Sequence, residues 1–287
     1  MIPFKSVCGG LLCLFLLLDS LFSQDLLDYA NTLRYADYLY RTHQFKPAAV
    51  ELERAVFLEP GDTLAKLKLV RSYRYLKEYG TANARIKSYF CDGPDYLPGA
   101  FSDEYIKNLL YENRFQEAGE FLRTNRTMGE TGKAEYGLGI HVMQCRWEEA
   151  RQLADHYSGF HYRSDKLEEL NDIIDEGLNT RYRSPALAAS LSAVVPGSGK
   201  LYTGQWKDAI FSFLFVTTGS WLTYRSYMNK GVNINTVFIG TVTLGFYSAN
   251  IYGSSKSAKK YNQKINQSFF NDVEAILLND RGPVGSR

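Results

Sequence analysis

The residues that could perform acid–base, metal or nucleophilic chemistry form no recognisable site in this sequence. Its histidines include no His-x-x-x-His pair, which would place two imidazoles on one helix face; they are His43, His141, His156 and His161. The sequence also lacks a Cys-x-x-Cys motif and a Gly-x-Ser-x-Gly elbow. Paired acids such as Glu148 and Glu149 are typical of solvated helix faces. We therefore expect no catalytic residue, no metal and no cofactor, and predict that the protein is not an enzyme.

The dipeptide Gly199-Lys200 has the form of a phosphate-binding loop but lacks its other residues. Such a loop needs a glycine five residues before Gly199 and a Ser or Thr after the lysine. Val194 and Leu201 occupy these positions, so we expect no nucleotide site. The segment instead favours a tight turn after a short apolar helix, predicted over Leu187–Val195 and ended by Pro196.

The net charge of the chain is too small to suggest a nucleic-acid-binding surface. The 287 residues include 33 basic and 31 acidic side chains, for a net charge of +2. Hydrophobic residues make up 45% and charged residues 22% of the chain, which is ordinary for globular material. Partners must therefore be argued from the shape of the elements.

Two apolar runs without a charge, Ala209–Tyr224 and Ile234–Tyr252, are the elements around which the chain is organised. A helix of roughly 17–20 apolar residues can cross a hydrocarbon core of about 30 Å. We predict a two-span membrane hairpin within residues 184–262, with an interfacial or re-entrant first helix. The charged, tyrosine-rich region before it favours a water-soluble helical domain over residues 24–180, and we expect residues 263–287 to be a C-terminal tail.

The hairpin segment also carries a specific motif at each end. Its members are Pro196, Gly197, Gly199, Tyr202 and Gly204 at the start, and Asn250, Tyr252, Gly253, Tyr261 and Asn262 at the close. This pattern resembles the P-G-x-G-Q-x-Y signature of small two-span bacterial membrane domains of unknown function. Lys200 stands where glutamine is usual in that signature. The resemblance implies a membrane location and brings no established activity.

Small residues recur every four positions in the second apolar run, at Thr241, Gly245 and Ala249. Such a face lets two helices in a membrane approach closely. We expect it to pack against the first span, with homo-oligomerisation through the same face as the alternative.

An aromatic residue followed three positions later by alanine occurs four times before the hairpin, with spacings of 34, 36 and 32 residues: Phe45/Ala48, Tyr79/Ala82, Phe115/Ala118 and Trp147/Ala150. A period near 34 residues resembles the tetratricopeptide repeat, which pairs two amphipathic helices. Further matches are Ala36, Ala55 and Pro60 in the first unit and Pro94 in the second. The alternative is an irregular helical bundle.

Repeats of this type present a groove to an extended peptide or a partner helix. Tyrosines that could line such a groove are Tyr35, Tyr38, Tyr40, Tyr73 and Tyr75. Aromatics at helical spacing are, however, more often part of a core. Asp165–Leu178 predicts one further helix, after which Pro185 marks the domain boundary.

Met1–Ser23 has the charged start and apolar core of a secretory signal peptide, with an uncleaved anchor as the alternative. Cys91 and Cys145 remain after its removal, and we interpret each as a buried small side chain in preference to a bridge. Export would place the repeats on the outer side of a bacterial inner membrane. Two spans then leave Lys256, Lys259, Lys260 and Lys264 outside, against the positive-inside bias, whereas a third span would bring them inside.

These features predict a membrane-anchored, exported helical-repeat scaffold that binds a protein partner at the lipid bilayer. The alternative is a membrane-embedded carrier or envelope-assembly factor in which the hairpin does the work and the repeats regulate it.

Overall fold

The computed structural model describes residues 28–91, 93–158 and 164–279. These residues form thirteen α-helices, one short 3-10 helix and a final π-helical turn, and they include no strand. The predicted all-α class is therefore confirmed. The signal peptide predicted over residues 1–23 lies outside the described residues, as do residues 280–287 of the predicted tail.

The chain divides into two compact units between Gly129 and Glu130. The first unit contains three helix pairs: α1 (Tyr29–Arg41) and α2 (Phe45–Leu58), α3 (Thr63–Tyr75) and α4 (Tyr79–Tyr89), α5 (Gly99–Tyr111) and α6 (Phe115–Thr124), with the 3-10 helix Pro94–Tyr96 before α5. Leu52, Leu69 and Leu109 lie fully inside this unit. Asp62 fixes the start of α3, because its carboxylate accepts from the amides of Leu64 and Ala65 at 2.8 and 2.9 Å.

One turn geometry joins the helices of several pairs. Three residues of the first unit, His43, Lys77 and Asn113, have positive φ angles of 59°, 63° and 57°. In each turn the next amide donates to the carbonyl five residues before it, as Gln44 does to Leu39 at 2.9 Å. This pairing satisfies the open carbonyls at the end of the first helix.

The second unit begins with the same arrangement and continues into the predicted hairpin. Its helices are α7 (Glu130–Met143), α8 (Trp147–Ser158), α9 (Asp165–Asn179), α10 (Pro185–Val194), α11 (Ser198–Tyr202), α12 (Trp206–Lys230) and α13 (Ile234–Val273), followed by the π-helical turn Glu274–Leu278. Cys145, with φ of 55°, occupies the turn between α7 and α8. The helix predicted over Asp165–Leu178 is confirmed as α9.

Helices α12 and α13 pack side by side as a hairpin through residues 231–233. Many large apolar side chains of this hairpin point away from the protein, and Phe211 and Phe238 are 66% and 68% exposed. Within the part of the chain that the structure describes, no helix is both long enough and apolar enough to cross a membrane.

Helix α13 has 40 residues, which corresponds to about 60 Å at 1.5 Å per residue. It runs without a break past residue 263, where the predicted tail begins, and its last turns pack on α7 and α9. The ring of Phe269 meets that of Trp147 edge to face at 4.7 Å. Val273 and Leu277 are buried, so this segment is part of the compact unit.

Candidate functional site

The residues of the predicted membrane-domain motif meet at the base of the hairpin, which we define as α10, α11, the start of α12 and residues 250–262 of α13. Gly199 lies where α11 touches α10 most closely, because a Cβ at this position would overlap the carbonyl oxygen of Ala188. Its amide donates to the Ser192 hydroxyl at 2.9 Å, and that hydroxyl lies 2.6 Å from the Ser254 hydroxyl. A glycine is therefore required for α10, α11 and α13 to meet.

Gly197 and Gly204 shape the two turns on either side of α11. Gly197 has φ of +88°, and a Cβ there would overlap the carbonyl oxygen of Ala209 in α12. Gly204 has φ of +78°, and the following amide, of Gln205, donates to the Lys200 carbonyl at 2.9 Å. The second turn thus has the hydrogen-bond pattern of the turns between the paired helices.

The Asn262 side chain of α13 fixes the backbone of the segment that joins α9 to α10. Its side-chain amide accepts from the Arg183 amide at 2.8 Å and donates to the Arg183 carbonyl at 2.9 Å. The Arg183 guanidinium lies over the rings of Tyr202 and Tyr261, at 4.8 and 5.5 Å from the centroids. Three of the predicted motif residues therefore position one arginine, which the sequence reasoning did not single out.

Lys200 and Asn250 lie deeper in the same base. The Lys200 ammonium donates to the Ser212 hydroxyl at 2.8 Å, and its Cε would lie 3.6 Å from a Cβ at Gly253. Asn250 is 5% exposed, and neither its side-chain nitrogen nor its oxygen has a hydrogen-bond partner in the described structure. Tyr252, by contrast, is 72% exposed. The motif therefore contains both interior contacts and one aromatic surface residue.

The predicted packing face of the second span does not meet α12. Thr241, Gly245 and Ala249 are all exposed, and a Cβ at Gly245 would meet nothing within 4 Å. The helices instead approach where Gly219 faces Thr243, whose hydroxyl would lie 2.5 Å from a Cβ at residue 219. The difference arises because α13 carries small or hydroxyl residues on two adjacent stripes, and the neighbouring stripe faces α12.

Hydroxyl and small residues form several of the contacts between the two helices of the hairpin. The hydroxyls of Ser226 and Thr236 lie 2.7 Å apart across the two helices. Further along, a Cβ at Gly240 would touch the Thr223 methyl at 3.3 Å. Small and hydroxyl residues therefore take part in the contact between α12 and α13, while many large apolar residues are exposed.

The residues predicted to pack the repeats lie at matching places in the helix pairs. The alanines among them, Ala36, Ala48, Ala55, Ala82, Ala118 and Ala150, are all fully buried. Phe45, Tyr79, Phe115 and Trp147 are each the first residue of a second helix. Pro60 follows the end of α2, and Pro94 begins the 3-10 helix.

The aromatic at the start of a second helix packs on the next first helix. The Phe45 ring stacks on Tyr75 at 4.3 Å, and Tyr79 stacks on Tyr111 at 4.9 Å. Trp147 covers α9 at Gly177, where a Cβ would overlap the indole ring.

The five tyrosines predicted to line a groove, here called the tyrosine stripe, separate into packed and exposed members. The Tyr73 hydroxyl donates to Glu53 at 2.5 Å, and burial together with this carboxylate raises the pKa of Tyr73 to about 12. Tyr40 and Tyr75 pack against Phe45. Only Tyr35 and Tyr38 of the stripe remain more than half exposed. They line an open groove of about 660 Å³ on the first helix pair, together with Asn31, Thr32, Arg34, Glu51 and Arg54.

The described titratable groups can be judged by the requirements of a metal site and by their shifted pKa values. Groups of three or more His, Cys, Asp or Glu that could hold a metal do not occur in residues 28–91, 93–158 and 164–279. Burial raises the pKa of the Cys145 thiol, which makes a hydrogen bond with Tyr182, and burial lowers the pKa of His141. Cys91 and Cys145 are both free, and Cys91 is exposed, contrary to the prediction that it is buried.

Comparison of the chain with models of protein families, with curated proteins and with solved structures gives no match.

Proposed function

We propose that the protein is a membrane-anchored helical-repeat scaffold: the α12–α13 hairpin lies in lipid, and the helix pairs bind a protein partner beside the membrane. The observation that carries this proposal is the inverted polarity of the hairpin. Hydroxyl and glycine residues make contacts between its two helices, whereas many large apolar side chains are exposed on its surface.

The outer surface of the hairpin supports contact with lipid. Phe211, Leu214, Phe238 and Leu244 are each more than half exposed. Contiguous apolar surface of this kind is rare on soluble monomers and common where a protein meets a membrane or a partner. Interior hydroxyls and glycines are the contacts that helices use when lipid replaces water.

Aromatic residues at both ends of the apolar surface agree with this placement. Trp206 and Tyr252 are exposed at the base, and Trp221 and Tyr227 are exposed towards the tip. Trp206 and Tyr227 are separated by about 30 Å along α12 at 1.5 Å per residue. Tyr and Trp favour the two interfaces of a bilayer.

The helix pairs support the binding role. We assign them as tetratricopeptide-like repeats, because the left-handed turn residue, the aromatic start and the buried alanine recur in four pairs. Such pairs bind partner segments through exposed side chains. The exposed Tyr35 and Tyr38 on the first pair are the best-placed contacts, since the other tyrosines of the stripe are engaged in packing.

Charge substitution on the outer hairpin surface tests the anchor. Phe211→Asp with Phe238→Asp places two carboxylates where we propose lipid, at a cost of roughly 2.5–3.5 kcal/mol each. We expect the full-length double variant to leave the membrane fraction. The matched control is Phe57→Asp, which changes a residue that is 82% exposed in the first unit. Unchanged membrane association of the double variant would contradict the anchor.

Photocrosslinking tests the partner surface. A p-benzoylphenylalanine at position 38 should give one discrete adduct in intact membranes, and Tyr35→Ala should weaken it. The same probe at position 123, which is exposed on α6, serves as the control. Identical adducts from both positions would mean that the first pair has no specific partner.

One observation favours the alternative in which the hairpin is the working part. A groove of about 730 Å³ runs along α12 and α13, lined by uncharged residues that include Ser220, Thr223, Tyr224, Tyr227 and Thr236. Replacing Thr223 with valine changes this groove without touching the repeats. If cells that carry Thr223→Val lose more of the protein's function than cells that carry Tyr38→Ala, the alternative is favoured.

A further inference from the structure

Charge is distributed very unevenly along the second unit. Between residues 181 and 271 the sequence contains ten basic side chains and one acidic one, Asp208. The acidic residues of this unit are instead concentrated in α9, which carries Asp165, Glu168, Glu169, Asp172, Asp175 and Glu176. The hairpin and its base are therefore strongly positive, although the whole chain is nearly neutral.

Six of the basic residues surround the base of the hairpin, and we call them the basic collar: Arg183, Lys207, Lys256, Lys259, Lys260 and Lys264. The Ser257 hydroxyl donates to the Gln205 side chain at 2.9 Å, which places the lysines of α13 beside the start of α12. The bond between Asn262 and Arg183 adds the arginine to the same level. The collar thus lies directly below the exposed apolar surface.

The lysines of the collar are available to a ligand. All five are exposed, and none forms an ion pair within the described structure. The Lys207 ammonium lies 5.6 Å from the ring centroid of Trp206, an aromatic exposed at the same level. Positive charge and interfacial aromatics therefore share one band around the base.

Arg183 differs from the lysines because the fold holds it in place. Asn262 fixes its backbone, and Tyr202 and Tyr261 fix its guanidinium. A held guanidinium suits phosphate oxygens, which it can contact with two parallel N–H groups.

We propose that the basic collar binds the phosphate headgroups of anionic phospholipids in the leaflet at the base of the hairpin. The inference rests on the proposed membrane anchor and names the lipid class that the anchor selects. Apolar surface directly above the collar favours a lipid over a soluble polyanion, since both parts of a phospholipid then have a complementary surface. Each basic residue near an anionic membrane surface contributes roughly fivefold to association.

The test uses the full-length chain reconstituted in phosphatidylcholine vesicles. Brominated lipids quench the fluorescence of tryptophans that they touch. Every chain in this test carries Trp221→Phe, so that Trp206, beside Lys207 of the collar, reports the contact. We expect brominated phosphatidylglycerol to quench more than brominated phosphatidylcholine at the same mole fraction, with a preference of roughly tenfold or more that decreases as salt is added. Lys256→Gln/Lys259→Gln/Lys260→Gln should bring that preference close to one.

A matched control removes three exposed charges from the first unit: Lys46→Gln/Lys77→Gln/Arg123→Gln. Its lipid preference should equal that of the original chain. Equal quenching of the original chain by both brominated lipids overturns the collar proposal and leaves the anchor standing. Quenching by neither lipid overturns the anchor as well. Transfer RNA that competes fully with phosphatidylglycerol for the collar would also overturn the proposal, because the site would then be a general polyanion surface.

Discussion

Glu104 is the most deeply buried charge of the first unit. Its carboxylate is fully buried and accepts from Arg71 Nε at 2.8 Å and from Arg74 Nε at 2.7 Å, and Arg74 is itself buried. Removing one partner of such a group leaves an uncompensated charge in the interior. We expect Glu104→Ala to lower the free energy of unfolding by about 3–5 kcal/mol, measured by urea denaturation of the full-length chain in mild detergent.

A surface carboxylate of the same unit provides the comparison. Glu117 pairs with Arg114 at 2.6 Å, but half of its side chain is exposed. Solvent-exposed pairs contribute little, so Glu117→Ala should have an effect of about 1 kcal/mol or less. Similar losses for the two variants would mean that burial of Glu104 does not determine its contribution.

Asp62 introduces a pH dependence at the start of α3. Burial raises the pKa of this carboxyl. Hydrogen bonds from the Tyr29 hydroxyl and from the amides of Ala65 and Leu64 together lower the pKa by more than burial raises it, so the folded-state pKa lies below the usual value. The carboxylate therefore stabilises the fold above about pH 4, and this contribution is lost as the pH falls through the folded-state pKa.

We expect Asp62→Ala to lower the free energy of unfolding by about 1 kcal/mol at neutral pH and by clearly less near about pH 2. Urea denaturation at both pH values measures the difference. Asp62→Asn keeps a capping oxygen and removes the charge, so its effect should be smaller than that of Asp62→Ala at each pH and should change with pH by the same amount. An Asp62→Ala effect of the same size in acid would exclude the charge as its cause.

At the scale of elements, the contact between α12 and α13 depends on Gly219. A Cβ there would lie 2.5 Å from the Thr243 hydroxyl, whereas a Cβ at Gly245 would meet nothing within 4 Å. We expect Gly219→Leu to separate the helices and Gly245→Leu to leave them together. Cysteines introduced at Ser226 and Thr236, whose hydroxyls lie 2.7 Å apart, report the contact by disulfide formation. Loss of crosslinking in Gly245→Leu alone would show that the predicted face is the true contact.

The hairpin also shows which structural features the sequence could predict. Spacing indicated two adjacent apolar helices and a tight turn at Pro196-Gly197. It could not indicate which stripe of α13 faces α12, because Thr241, Gly245 and Ala249 have the same small character as the stripe containing Gly240 and Thr243. That choice depends on packing with α10 and α11, through contacts such as the one between Ser192 and Ser254.

At the scale of the whole molecule, the local sequence pattern predicted the helix pairs but did not predict that the last turns of α13 pack against them. The four aromatics of the spacing pattern each begin a second helix, because these residues act within one turn and its helix. The last turns of α13 carried a signal too, since Phe269, Val273 and Leu277 recur every four residues. Their role was missed because the partner surface, at Trp147 and Gly139, is far away in the sequence.

These last turns join the hairpin to the final helix pairs of its unit, and Phe269 is the central contact. It is 3% exposed and packs on Trp147 at 4.7 Å. We expect Phe269→Ala to destabilise the second unit by about 3–5 kcal/mol, because it leaves a cavity beside the indole. Hydrogen exchange of residues 263–278 should rise strongly, while that of α12 should change little. Ser268→Ala, at the exposed neighbouring position, is the control. If both variants exchange like the original chain, the end of α13 does not depend on this docking, and the hairpin is linked to the helix pairs only through the segment between α9 and α10.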